Sequence, residues 1–532
     1  MAPTSFEIER DFAESELRSG QEFVAGYMAL GRLAFLAERE PGILLESTVR
    51  VLHRLLSANE YAEKKTAYFL YRKAAKTLAA ILASHPDSAL AETALAALGQ
   101  ILCQATGPVH RATAEALGSL PLSVNRPRPP EDATAEPVRV SWDRLLSDAK
   151  ADPGRATVLG RSVVVPVENG RRLLVVKFAR AGEDPAGLVA EAGWMEFLRE
   201  NRDAFSSGFL VPRPLCPGRS RILQVTGLSV PGLDPGGLHP KRLAVAFFAH
   251  PGYFTYPNEE GRLLPAERFV RVMGKNARIL GRMAGAGVIH TAAIPLFHNR
   301  VQQHRRADRG LYHWPRAGRL DQWLASCRHP NLGITGPRDF EHLEAYSGNR
   351  RELYIHAGNQ ILAMALVAGS WFRNQAPDRR GPGPDGQPAD TRDLFDPGLL
   401  ARMLEAILDG WCRGFSGAPA PDLPVDCDRV ARAMIEQMGV DRDMAEVLRV
   451  HDQQRLSNVE FTEFLASRGH TGPATRGEAD ITLITGPHLG GFNQRISVPE
   501  LIEFTATATG ISMAQRFLRG KRAVTWATEE AA

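Results

Sequence analysis

Two apolar runs, Val163-Val164-Val165-Pro166-Val167 and Leu173-Leu174-Val175-Val176-Lys177-Phe178, stand on either side of Glu168-Asn169-Gly170. β-branched residues suit a pleated strand, and Asn-Gly accepts the left-handed backbone of a tight turn. A β-hairpin is therefore expected here. It constrains the chain because what precedes it follows another period. Residues 21 to about 120 carry apolar positions at helical spacing through Ile43-Leu44, Val51-Leu52 and Leu55-Leu56, broken near Pro41, Asn59 and Pro86. The Ala-rich face of Ala91, Ala94, Ala96 and Ala97 suits close helix packing. Such segments in series read as a HEAT-like solenoid or as an ordinary helical bundle. A Pro-rich, charged stretch from Asn125 to Pro137 separates the two regimes as an extended linker.

After the hairpin the pattern predicts a helix from about Ala186 to Asn201. Strands follow around Ile222 to Val225 and Ala244 to Phe248, then a helix from Pro265 to Ala286. Residues 354 to 374 read as a buried helix, Asp378 to Gln387 as an exposed loop, and Gly398 to Phe415 and Asp428 to Val450 as helices. Beyond Asp480 come a short strand (Ile481 to Ile484), a Gly-rich turn and a helix from near Pro499. The expected architecture is an N-terminal all-α domain (1–122), a linker (123–140), an α+β bilobal domain (lobes 141–255 and 256–470) and a C-terminal extension (471–532).

Net charge is +4 over 532 residues, which gives no clustered basic footprint for nucleic acid. Arg305-Arg306 and Arg379-Arg380 read as solvated loop. The five cysteines show no paired spacing, which suggests a reducing compartment. The N-terminus is acidic and lacks the apolar core of a secretory signal, and no window approaches the ~18 apolar residues of a membrane span. The chain reads as cytoplasmic.

The chemistry-bearing residues are few. Lys177 ends the second hairpin strand, and Glu191 or Glu196 on the following helix would be its partner. A strand lysine at an edge would equally face solvent. Gly160-Arg161-Ser162 either places a guanidinium over a bound anion or is a plain turn. Asn331 stands eight residues before Asp339 in Asn331-Leu-Gly-Ile-Thr-Gly-Pro-Arg-Asp339-Phe-Glu-His342. Carboxylate and amide oxygens of this kind suit Mg2+. His290, His298, His304, His313 and His329 cluster in sequence but match no zinc spacing.

The strand lysine, its helical glutamate and an Asn and Asp pair recur in protein kinases, whose catalytic loop reads H-R-D-x-x-x-x-N with the base Asp five positions before the Asn. Here that position is Ser326. Val-Val-Lys177-Phe, the helix with Glu191, Gly287-Val-Ile-His290, and Pro330-Asn331 with Arg338-Asp339-Phe-Glu-His-Leu together resemble the SidJ-related pseudokinases, and more distantly selenoprotein O. The resemblance covers roughly residues 155 to 470. It implies a protein-kinase-like fold in which Lys177, Glu191, Asn331 and Asp339 bind Mg2+ and ATP. It also implies a second nucleotide pocket around His290 and Arg319, with Tyr312 as a stacking neighbour.

The activity implied is protein glutamylation through an acyl-adenylate. Protein adenylylation and an inactive nucleotide-binding scaffold are the alternatives. A carboxylate is ionised at neutral pH, so it needs no base, whereas a hydroxyl acceptor loses ~10²- to 10⁴-fold without one. A small-molecule kinase would still need the base. SidJ-type enzymes hold calmodulin on an IQ-type helix. The stretch around Asn493 to Ser497 offers none, so an activator would be some other protein. The stretch from His290 to Asn331 is unusually long for a catalytic loop.

Overall fold

The structure is a computed structural model. It describes residues 3–19, 23–58, 67–84, 89–104, 107–120, 136–204, 208–216, 220–259, 262–294, 329–374, 396–417, 425–438 and 498–518, with a few short pieces between them. Helices α1 (Ser5–Ser19), α2 (Phe23–Arg39), α3 (Glu46–Ala58), α4 (Ala67–Ser84), α5 (Ala89–Gln104) and α6 (Gly107–Gly118) come first. Helix α1 lies ahead of the stretch that the sequence marks as helical. Pro41 ends the run after α2, where a short 3-10 turn, Pro41–Ile43, intervenes. Helices α1, α3 and α5 form one layer and α2, α4 and α6 the other, each hairpin packing on the next.

The sheet follows. Its strands are β1 (Val138–Ser141), β2 (Thr157–Leu159), β3 (Ser162–Val167), β4 (Arg172–Phe178), β5 (Arg213–Pro214), β6 (Leu223–Thr226) and β7 (Leu243–Ala249). The order is β1-β6-β7-β4-β3-β2, with β5 also on β7. Only the β1–β6 pair is parallel. The β3–β4 hairpin forms as expected, in the register Val167 to Arg172. Its loop holds Glu168, Asn169 and Gly170 at φ of 52°, 56° and 86°, the conformation that Asn-Gly favours.

The period of two on these strands decides what each face touches. Val163, Val165, Leu174, Val176 and Phe178 pack on α7 (Trp142–Ala149). The sequence hides α7 because it is only eight residues long. Its Trp142, Leu145, Leu146 and Ala149 do keep helical spacing, and Ser141 caps it by accepting from Arg144 N. Val164 and Val175 face the other way, onto Leu188, Ala192 and Met195 of α8 (Ala186–Glu200). Lys177 has the parity of Val175, so its side chain runs towards α8.

The rest is mainly helical: α9 (Ala266–Gly285), β8 (Val288–His290), β9 (Ala317–Gly318), β10 (Leu332–Gly333), β11 (Gly336–Pro337), β12 (Leu343–Ala345), α10 (Arg350–Arg373), α11 (Pro397–Phe415), α12 (Cys427–Gln437) and α13 (Pro499–Leu518). The strand expected at 481–484 and the segment 439–450 lie outside the described residues. The architecture is thus a helical region followed by a mixed sheet with helices.

Two contacts tie it together. Helix α13 lies against α6, α10, α11 and α12, so one core runs from Ala13 to Ala514. Helices α9 and α11 meet backbone to backbone. A Cβ on Gly281 would sit 2.7 Å from Trp411 O, and one on Gly414 would collide with Arg278 O. Only glycine permits this approach. No described helix is long and apolar enough to cross a membrane.

Candidate functional site

Lys177 is buried, and its ammonium lies 2.8 Å from Glu191 Oε2 and 2.6 Å from Asp339 Oδ1. Glu341 Oε2 is 3.6 Å away. Three elements converge here: β4 brings the lysine, α8 the glutamate, and the 3-10 turn Phe340–His342, with Asp339 just before it, the other two acids. That turn is anchored by Phe340, which is fully buried beside Phe209. Glu196, the other helical glutamate, pairs instead with Arg221 at 2.7 Å and accepts from Cys216 Sγ at 3.0 Å.

Arg161 projects inward from the β2–β3 turn. Its guanidinium reaches Glu341 with both carboxylate oxygens, at 2.9 and 2.7 Å, and Glu183 at 2.6 Å. Gly160-Arg161-Ser162 is a turn, with Gly160 at φ 60°, and the Arg161 guanidinium is held by the protein's own carboxylates.

Burial works against the charge of every member, and the neighbours decide each outcome. Lys177 and Arg161 are both held above their ordinary values, by Asp339 first for the lysine and by Glu341 first for the arginine. Asp339 is held well below the ordinary carboxylate range by Lys177 and then His342. Glu341 is lowered too, chiefly by Lys177. Glu191 goes the other way. Burial pushes it up to about 7, against the pull of Lys177 and with the help of Glu341 and Asp339. The two cations face four carboxylates, Glu183, Glu191, Asp339 and Glu341. The cluster therefore carries negative charge in excess, and a divalent cation would balance it.

The donor set fits such an ion. Ligand atoms of Asp339, Glu341 and His342 lie within 4.8 Å of one another, and His342 Nε2 is 3.3 Å from Asp339 Oδ2. Asp339 has a left-handed backbone, φ 61° and ψ 60°. A non-glycine residue held there is strained, a feature that gathers at functional sites. Asn331 joins through the β10–β11 hairpin, in which Arg338 N donates to Asn331 O at 3.0 Å. Its side-chain Nδ2 donates to Ala292 O at 2.8 Å, which leaves the amide oxygen as the candidate ligand.

That last bond ties Asn331 to the segment that follows β8. The sequence spacing points to Ser326, which lies outside the described residues. The backbone that Asn331 actually holds is that of Ala292, two residues after His290. The base Asp of H-R-D likewise stands two after the His. In this chain that position is Ala292, whose side chain is a methyl group.

His290 itself is 1 % exposed. Its Nε2 donates to Arg338 O at 2.9 Å and its Nδ1 accepts from Ala292 N at 3.3 Å. Burial lowers its pKa to about 4, so it is neutral and braces the hairpin that carries Asp339. Tyr312 and Arg319, its expected companions at a second nucleotide pocket, lie outside the described residues, as do His298, His304 and His313.

Sequence reasoning missed Glu183, Glu341 and His342. Glu341 and His342 sit in the Asp-Phe-Glu-His run already singled out, so the signal was present. Arg338 was missed as well. Its guanidinium stacks on Tyr253, Phe254 and Tyr256 at 5.1, 4.8 and 4.7 Å and fastens the hairpin to the segment after β7. No protein-family model and no curated protein matches the chain.

Proposed function

We propose that the chain binds ATP with Mg2+ between the β3–β4 and β10–β11 hairpins and uses the α-phosphate to activate a carboxylate. The product would be a protein glutamylated through an acyl-adenylate. A single observation carries this reading: Lys177 clasped by Glu191 and Asp339, with Ala292 where a base would stand.

Lys177, aimed by Glu191, would meet the phosphates as a fixed cation. Asp339 and Asn331 would hold Mg2+, with Glu341 or His342 beside them, and the ion would offset phosphate charge. Arg161 would leave Glu341 for a phosphate oxygen, as its guanidinium suits either partner. The acceptor glutamate carboxylate then attacks the α-phosphorus, and pyrophosphate leaves. The neutral amine of a free glutamate attacks the acyl carbon, AMP leaves as the amide bond forms, and the amine's proton passes to solvent. The first nucleophile is already ionised, so the missing base at Ala292 costs nothing in that step. The enzyme contributes alignment and charge.

The test follows label at the α-phosphate of ATP, with Mg2+, with and without glutamate and cell lysate, beside Asp339→Ala. AMP and pyrophosphate that require glutamate support the proposal. AMP retained on protein means adenylylation instead. ADP means a kinase. Turnover that is the same in Asp339→Ala removes the site assignment. Binding that raises the melting temperature without any product leaves a nucleotide-binding scaffold.

A further inference from the structure

Arg268, Arg271 and Lys275 recur on α9 at intervals that place them on one helix face. With His250 they line an open cleft of about 370 Å³, floored by Leu210, Val272 and Ile334. Arg268 and Arg271 are exposed and make no ion pair among the described residues, while the adjacent Glu267 is taken by Arg402 at 2.9 Å. Lys275 is half-buried. Its stem crosses Gly208, where a Cβ would come within 2.8 Å of Cε, and its ammonium lies 3.4 Å from Ile334 O. Burial lowers its pKa, as expected of a cation with no anion beside it.

The cleft shares one wall with the site above. Ile334 and Thr335 form the turn of the β10–β11 hairpin. Leu210 N donates to Thr335 O at 3.0 Å, and Asn276 of α9 donates to Gly333 O at 3.0 Å. The ends of the same hairpin are Asn331 and Asp339.

We infer that this cleft binds a small phosphate-bearing ligand, as an effector site set against the turn of the hairpin that carries Asn331 and Asp339. Two guanidinium forks and an ammonium suit phosphate oxygens. The apolar floor suits a non-polar moiety, and the volume is that of small-ligand sites, ~300–1,000 Å³. A ligand drawing Lys275 away from Ile334 O would act on the turn directly, so its binding and Mg2+ binding at the hairpin ends would affect each other reciprocally.

The experiment does not depend on the nucleotide reading. Calorimetric titration of the full chain with sodium tripolyphosphate, and separately with inorganic phosphate, is run without Mg2+ at constant ionic strength. Wild type is compared with Arg271→Gln/Lys275→Gln, Arg268→Gln and Arg161→Gln. Saturable binding is expected in wild type and in Arg161→Gln, weakened roughly tenfold or more in the α9 double variant. Unchanged ligand-free melting confirms that the double variant folds, and Arg268→Gln repeats the test at an exposed position. No saturable binding, equal binding by the double variant, or loss only in Arg161→Gln would each overturn the inference. Tight binding of an acidic peptide but of neither phosphate probe would overturn it as well.

Discussion

Two buried contacts join parts of this molecule by opposite physical means. Along the α9–α11 seam, Gly274, Gly281, Gly410 and Gly414 let two helix backbones touch with no charge involved. Around Lys177, a strand, a helix and a turn already packed through Val175, Leu188 and Phe340 are also joined by a buried cluster of charges. The seam is a contact of backbone and small side chains. The charge cluster has more carboxylates than cations and stores strain at Asp339. A buried ionic cluster is poor evidence for stability, so its persistence points to a purpose other than holding the fold. The α9 cleft is the reverse case, cations without anions.

The comparison can be broken most severely at Lys177. Replacing it by Met leaves Glu191, Asp339 and Glu341 without their shared cation, and should cost about 3–5 kcal/mol in a urea melt. If Lys177→Met melts like wild type, the cluster is not held together as described. The seam comes next. Gly414→Ala drives a methyl into the Arg278 carbonyl, and overpacking of that kind should cost about 1–3 kcal/mol. The loss should be indifferent to salt and pH, unlike that at Lys177. A salt-dependent loss would contradict the contrast.

A third effect comes from the α6–α13 contact, where buried His110 Nε2 lies 2.6 Å from Thr507 Oγ1. Burial lowers the His110 pKa to about 4, from an ordinary 6.5. The unfolded chain therefore binds more protons between those values, and stability falls as pH drops below about 6.5. The limit for one such group is about 1.4 kcal/mol per pH unit. The melt of His110→Gln should show a shallower loss between pH 6.5 and 5; an unchanged slope would mean that His110 does not drive it.

The smallest stability change is expected at Asp339→Asn. The charge of Asp339 favours the fold, but Glu191 and Glu341 still hold Lys177, so the loss should be about 1 kcal/mol or less. Any Mg2+-dependent rise in melting temperature with ATP should nevertheless disappear. A large destabilisation with Mg2+ dependence intact would reverse the roles assigned to the two regions.

The parts legible in the sequence are those set by local pattern. The β3–β4 hairpin announces itself through Val-rich runs around Asn169-Gly170, and α9 to α11 through their apolar spacing. The strand place of Lys177 is legible, but its partner stands open between Glu191 and Glu196, and only the fold pairs it with Glu191 and sends Glu196 to Arg221. Arg161 has two readings in the sequence, since nothing local says where a turn arginine points. Helix α7 was missed because eight residues give too short a period to see.

What the sequence by itself determined is the change from helical to alternating period, the lysine's place on its strand and the close spacing of Asn331 and Asp339. Each follows from backbone geometry acting over a few residues. Tertiary structure alone decided that Asn331 holds the backbone of Ala292, that Arg161 turns inward to Glu341, and that three cations of α9 share a cleft with the hairpin turn. These depend on which surfaces meet after the chain folds back on itself. Packing and desolvation set that choice, and neither is written in any single stretch of residues.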